Sequence, residues 1–441
     1  MLQRIDPRRT APPAASRARV FAFIELSLAT WACIYFALIV ASGLTYGRSV
    51  AFGVALAFAL WLVLGAIFYD AQPVPMPDTY LWLAIVAWAG WSAASYFWSV
   101  NPRLSRAEIG TEIGWGLCTA FIFYVAARAS RWFRAMVTTA IAVAVVLAVL
   151  AIRAVLADGA PDPEMTLSHL HGGVGAFSTY LVLAVPLLPM LLAPRPLGYG
   201  SGRWAVCCVG ASFVLLIVAA RATENRMIWL ALAAGFILAA ALAAWRWRER
   251  LARARWRWTA VLLALLLVVG GLFVDAAMQR ARIDHRDETV AKALADDPRF
   301  ALWQYTFERI AERPWAGFGY GKSILRTKMQ DELGDPMLAH AHNLFVSQWL
   351  QTGAVGVAIL CALLLALGWR YGAFLRSADG VLAAIGLTGL AMLTMFVVKN
   401  LTDDFMVRPT SKEFWALNAL LIGYGIRRAR GHSGATSDRP L

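Results

Sequence analysis

The sequence predicts an all-α polytopic membrane protein with about twelve transmembrane helices, and three observations predict it. Apolar residues make up 60% of the 441 residues, against roughly 45–50% in soluble domains. Charged residues contribute only 15%, too little polar surface to cover the several cores that a soluble chain of this length would build. The apolar residues also arrive in runs of about 20, the length that crosses a bilayer as a helix. With 19 Trp and only 27 Asp plus Glu, a disordered or acidic solvating chain is excluded.

Taken in order, the runs lie at 20–42, 49–69, 79–98, 108–127, 134–156, 174–193, 204–220, 227–245, 258–276, 343–368, 380–398 and 414–426. The last is short. The runs at 204–220 and 227–245 are separated only by Arg221-Ala-Thr-Glu-Asn-Arg226. Fusing them would bury several charges at about 2.5–3.5 kcal/mol each, so two spans are expected. The first run outlasts the roughly 7–15 residues of a signal-peptide core, so no cleaved leader is expected. Arg4, Arg8, Arg9, Arg17 and Arg19 precede it, which assigns the N-terminus to the cytoplasm. Alternation then places the arginine-rich stretch 245–258 and the tail with Arg427, Arg428 and Arg430 inside as well. The expected organisation is a cytoplasmic tail 1–19, spans one to nine within 20–276, an outward loop 277–342, spans ten to twelve within 343–426, and a cytoplasmic tail 427–441. In a cell with two membranes, that loop faces the periplasm from the inner membrane.

The net charge of +14 would suggest nucleic acid in a soluble chain. In this chain the basic residues sit between apolar runs, so the expected partners are the lipid bilayer with its anionic head groups or an anionic lipid-linked substrate, and no nucleic acid. The five cysteines, Cys33, Cys118, Cys207, Cys208 and Cys361, lie inside apolar runs without disulfide or zinc spacing. They read as buried packing residues.

The long outward loop is where chemistry is expected, because retained loops of this length are uncommon without a function. Asp297-Pro298 reads as a helix start, and Phe300, Trp303, Phe307 and Ile310 then fall on one amphipathic stripe. Such a stripe would lie on the membrane surface or against the spans and aim Arg299 at the mouth of the bundle. Pro314 ends the helix, and Gly317-Phe-Gly-Tyr-Gly321 follows. A glycine cluster reads as a turn, or as a place where backbone approaches a phosphate closely, with Gly319 at its centre. His340-Ala-His342-Asn343 precedes span ten. A neutral imidazole there suits a general base; a helix cap is the plainer alternative. A zinc site shared with His169 and His171 is the weaker reading, since no third ligand has convincing spacing. Arg221 and Arg226, Arg103 and Arg106, Arg313, and Lys399 with Arg408 also fall on the outward side. Arginine suits bidentate phosphate contacts. Asp403-Asp404 is an acidic pair beside a span, weak as a metal signal.

Three segments resemble the O-antigen ligase and polymerase superfamily of bacterial envelope glycosyltransferases. Asn225-Arg226-Met-Ile-Trp is similar to the family's Ser-Arg at the start of a mid-chain span. Arg299-Phe-Ala-Leu-Trp303 and Pro314-Trp-Ala-Gly317-Phe-Gly319 are similar to its Arg, Trp and Pro-x-x-Gly-x-Gly loop. His340-Ala-His342-Asn343-Leu-Phe, then Thr352-Gly353-Ala-Val-Gly356, is similar to its His-Asn element and the following glycines. Asn225 departs from the usual Ser, and Gln351 stands where an acid is common.

The resemblance implies a GT-C-like membrane fold and an inverting, metal-independent glycosyl transfer that uses no cofactor. The implied donor is a polysaccharide on undecaprenyl pyrophosphate, and the implied acceptor is a sugar hydroxyl of lipid A–core. By the same resemblance Arg226 and Arg299 hold the pyrophosphate, and His342 or His340 is the base. Arg221, Arg103, Arg106, Arg313, Asn343 and Gly319 complete the expected substrate site. Ligase, polymerase and protein O-oligosaccharyltransferase share this donor, and the single large loop before the histidines favours the ligase. A lipid-linked sugar flippase would need charges along a path through the spans. The span interiors are nearly free of charge, and Arg153 lies near an outer end.

Overall fold

The computed structural model describes residues 14–41, 44–68, 74–156, 171–194, 197–223, 225–248, 267, 270–275, 278, 299–334 and 339–437. Among them, nine helices are long and apolar enough to cross a membrane. Helices α1 (Ala14–Val40) and α2 (Thr45–Phe68) pack together. Helix α3 (Thr79–Ala94) tightens into a 3₁₀ turn at Ser95–Trp98. Helix α4 (Pro102–Ala126) contains a π turn at Ile109–Gly114. Helix α5 (Ser130–Leu156) precedes α6 (Val174–Leu192), which narrows to 3₁₀ at Val185–Leu187, where Pro186 supplies no amide donor. Helices α7 (Arg203–Ala222) and α8 (Arg226–Arg246) follow. After the short helices α9 (Arg299–Glu312) and α10 (Arg326–Leu333) come α11 (Leu344–Arg376), α12 (Gly380–Lys399) and α13 (Arg408–Ser437).

Every expected run coincides with a helix except 258–276, most of which lies outside the described residues. The nine spans and the twelve expected differ for physical reasons. Helix α3 has 16 residues before it tightens, and α13 carries charged residues at both ends of its apolar centre. The polar knot does divide α7 from α8. Thr223 closes α7, and the Asn225 side chain caps α8 by accepting from the Met227 N–H at 3.1 Å. Helix α13 also runs beyond 426, because helix ends follow hydrogen bonding rather than hydropathy. There Arg428 pairs with Asp379, and Arg430 donates to the Met76 carbonyl. Cys207 and Cys208 are exposed on α7, against the expectation of burial, because none of the described helices covers that face.

The core is built by α4 against α13, α8 and α11 against α12, and α3 against α11. Helix α11 is interrupted at Gly353, whose φ of 70° and ψ of −177° are not helical. A side chain there would run into the Trp315 carbonyl. The break frees backbone groups that a continuous helix would use internally. The Leu350 carbonyl instead accepts from Phe318 N–H at 2.9 Å, and the Gln351 carbonyl from Gly319 N–H at 2.8 Å. Ala354 N–H in turn donates to the Pro314 carbonyl at 2.8 Å. The glycine turn is thereby laced onto α11 at its break.

Helix α9 begins at Arg299, although Asp297-Pro298 lie outside the described residues. Its buried face differs from the expected stripe. Phe307 is exposed, while Leu302, Tyr305, Thr306 and Ile310 are buried. Leu302 and Tyr305 pack on Met329 of α10, and Ile310 packs on Phe318, Leu325 and Leu350. The partners are the loop's own residues and α11, so the helix is rolled toward them and away from the lipid-facing stripe read from the sequence.

Replacing Gly353 with Ala is expected to cost about 1–2 kcal/mol from the left-handed backbone alone, and more from the clash with Trp315. A lowered melting temperature and faster proteolysis of the 299–334 segment in detergent would register it; a wild-type melting curve would contradict this account of the break.

Candidate active site

The histidine segment is fixed from three sides. Trp303 of α9 donates its indole N–H to the Ala341 carbonyl at 2.7 Å. Asn343 caps α11, its side-chain oxygen accepting from Phe345 N–H at 2.9 Å and Val346 N–H at 3.1 Å. Its amide nitrogen donates to the Leu401 carbonyl at 2.7 Å, and Leu344 N–H donates to the Asn400 carbonyl at 3.0 Å. Held this way, the His340 and His342 rings come to a centroid separation of 3.9 Å, tilted by 36° to one another. His342 has φ of 49° and Arg408 φ of 57°, the two non-glycine residues with positive φ among the described residues. Such strain persists only where surrounding contacts over-determine it, and it concentrates at functional sites.

Both strained residues belong to one polar cluster. Arg408 N–H donates to a Glu112 carboxylate oxygen at 2.6 Å. Lys322, the residue after the glycine turn, donates its ammonium to the Asp404 carbonyl at 2.6 Å and its backbone N–H to Glu108 at 2.7 Å. Lys399 and Asp403 form a buried ion pair. Both lysines lie over the Phe405 ring, at 5.0 and 5.3 Å. Burial holds His340 below the ordinary histidine range, with Lys322, His342 and Arg408 pushing the same way. Burial also lowers Lys322, opposed by the carboxylates of Asp404, Asp403 and Glu108, and it raises Asp404, opposed by Lys322.

Each of the other residues expected from the sequence has a defined place in the fold. Arg226 opens α8 and is half-buried. Arg299 opens α9, but its side chain lies outside the described residues. Arg221 is ion-paired with Asp275 at 2.7 Å. Arg103 and Arg106 are exposed on the first turns of α4. Arg313 borders a groove of about 290 Å³ with Trp98 and Trp315. Asn343 serves as the cap of α11. Gly319, at φ 107°, makes its close approach to Ser99 and the Gln351 carbonyl. Gln351 is buried, and its side-chain oxygen accepts from Gly321 N–H at 2.9 Å; a neutral amide does this without burying a charge.

His169 lies outside the described residues, and His171 is turned into the core. Its Nδ1 donates to the Val40 carbonyl at 2.8 Å, and its Nε2 lies 3.5 Å from Glu413. That engagement leaves it no role in a site shared with His340 and His342. Among the described residues, no three His, Cys, Asp or Glu side chains are grouped to hold a metal ion. Lys322, Glu108 and Glu112 are the members of the cluster that the sequence did not single out, although Lys322 directly follows the glycine turn.

Residues 211–361 match the family model of O-antigen ligase. The matched stretch runs from within α7 through Arg226, the loop helices, the glycine turn, both histidines and the Gly353 break into α11. It supports the O-antigen ligase superfamily as the one this chain resembles, and with it a membrane enzyme of the O-antigen ligase or polymerase type. No curated protein matches the chain.

Replacing Asn343 with Ala is expected to lower stability by about 1–2 kcal/mol, since it removes the cap and the bond to Leu401. Asn343→Asp keeps the capping oxygen and should lose less. Thermal melting of both variants in detergent gives the comparison, and equal losses would count against the cap.

Proposed function

We propose that this protein ligates a polysaccharide from undecaprenyl pyrophosphate to a sugar hydroxyl of lipid A–core, at the periplasmic face of the inner membrane. Both termini are then cytoplasmic. The observation that carries the reading is the closely apposed His340–His342 pair, anchored by Trp303 and Asn343 and bordered by the cations Lys322 and Arg408. An imidazole takes the proton of the acceptor hydroxyl. The oxygen attacks the anomeric carbon of the donor from the face opposite the leaving group, so the configuration inverts. The bond from that carbon to the pyrophosphate oxygen breaks, and undecaprenyl pyrophosphate departs with the electron pair. Arg226 and Arg299 stabilise the charge developing on that diphosphate, the task that guanidinium groups perform by bidentate contact. His342, the strained member of the pair, is the base.

Incubating the purified protein with lipid-linked glycan and lipid A–core tests the reaction directly. The ligated product is expected only when both are present, and it should form in the presence of a chelator. A lengthened glycan from donor alone would instead identify a polymerase. His342→Ala should reduce transfer by roughly 10²–10⁴-fold, the usual worth of a positioned base. Arg226→Ala and Arg299→Ala should abolish it while leaving expression and membrane insertion unchanged. Normal turnover in both His342→Ala and His340→Ala would remove the base from the mechanism.

A further inference from the structure

The meeting of the His340 and His342 rings depends on the peptide unit that joins Ala341 to His342. A peptide unit is rigid and planar, so its orientation is set by two torsions, ψ of Ala341 on one side and φ of His342 on the other. That φ is 49°, a left-handed value that a residue with a side chain abandons unless its surroundings hold the peptide there. The carbonyl of this same unit, belonging to the fully buried Ala341, accepts the indole N–H of Trp303 at 2.7 Å. Turning the peptide out of the left-handed region swings that carbonyl away from the indole, so the bond and the torsion are held or lost together. We propose that Trp303 is a positioning residue for the base: its indole N–H holds the Ala341–His342 peptide unit in the conformation that keeps the His342 imidazole beside His340.

Trp303 can serve as a fixed point because α9 is itself anchored. Leu302 and Tyr305 pack on Met329, and Ile310 packs with Phe318 and Leu350. Just past the end of α9, the Pro314 carbonyl accepts the Ala354 N–H at 2.8 Å. Helix α9 therefore braces the part of α11 that precedes its break, with Trp303 at the histidine end and Pro314 beside Gly353. Downstream of His342, Asn343 and Leu344 are tied to the Leu401 and Asn400 carbonyls. The histidine is thus held between a clamp from the outward loop and a clamp from the loop that follows α12. The inference rests on His342 being the base, as read above.

Trp303→Phe removes the N–H and keeps an aromatic ring. Benzothienylalanine at position 303, with sulfur in place of that N–H, keeps the indole shape and serves if the phenylalanine variant fails to fold. The full-length protein in nanodiscs is assayed with lipid-linked glycan and lipid A–core. In either variant kcat is expected to fall by about 10²-fold, the cost that a misplacement of about 1 Å can carry, with KM for both substrates unchanged. Azide separates positioning from general damage, because this anion needs no base. It attacks the anomeric carbon, the bond from that carbon to the pyrophosphate oxygen breaks, and undecaprenyl pyrophosphate leaves with the electron pair, giving a glycosyl azide. The Trp303 variants and His342→Ala should each form the glycosyl azide at the wild-type rate. Trp303→Phe should lower transfer no further when His342→Ala is already present, as expected of two residues that act through one group. Equal losses of transfer and of glycosyl azide in the Trp303 variants overturn the proposal, since the tryptophan then serves the donor site or the fold. Undiminished transfer in those variants overturns it as well. Normal turnover in His342→Ala overturns instead the reading of His342 as the base, whatever Trp303→Phe shows.

Discussion

The break of α11 at Gly353 is the constraint on which the candidate site depends. A helix that crosses an apolar environment must satisfy its own backbone groups, and an interruption is tolerated only where other groups take them up. Here the takers are the amides of Phe318 and Gly319 and the carbonyl of Pro314. The same exchange that satisfies the span holds the loop in place. Gly319 and Gly353 are required because each approaches another stretch of backbone or side chain at a left-handed φ. From this seam, Tyr320 N–H reaches Ser95, Gly321 reaches Gln351, and Lys322 is delivered to Glu108 and Asp404.

Above the seam, the histidine segment and the 400–408 loop fasten one another. The Asn343 side chain both starts α11 and ends its reach on Leu401. Arg408 is strained but tied to Glu112 on α4. Four separate segments of chain therefore meet in one cluster of alternating charges, with Lys399 at the end of α12 and Asp403 in the following loop closing it. Burial makes each of these charges dependent on its neighbour, and it also makes their fields felt more strongly by the nearby imidazole.

Much of this was legible locally. The division between α7 and α8, the helix beginning near Arg299 and the turn after Pro314 are short-range signals, and each lies where its residues placed it. The roll of α9 was not legible, because Phe307 and Thr306 compete for burial and only the positions of Met329 and Leu350 decide between them. The engagement of Arg221 with Asp275 was equally hidden, since its partner stands 54 residues away. Gln351 looked like a missing acid and is instead a buried acceptor for the glycine turn.

The sequence by itself determined the membrane-spanning helical class and the residues capable of acid–base and anion chemistry, because hydropathy and side-chain type are properties of the chain alone. It also marked the glycines and proline that break regular structure. Only the tertiary structure decided that the His340 and His342 rings lie together, that Lys322 and Arg408 come near them, and that Asn343 is spent as a cap. Those relations are long-range, set by which backbone groups remain unsatisfied after the helices form and by which distant segment arrives to bind them.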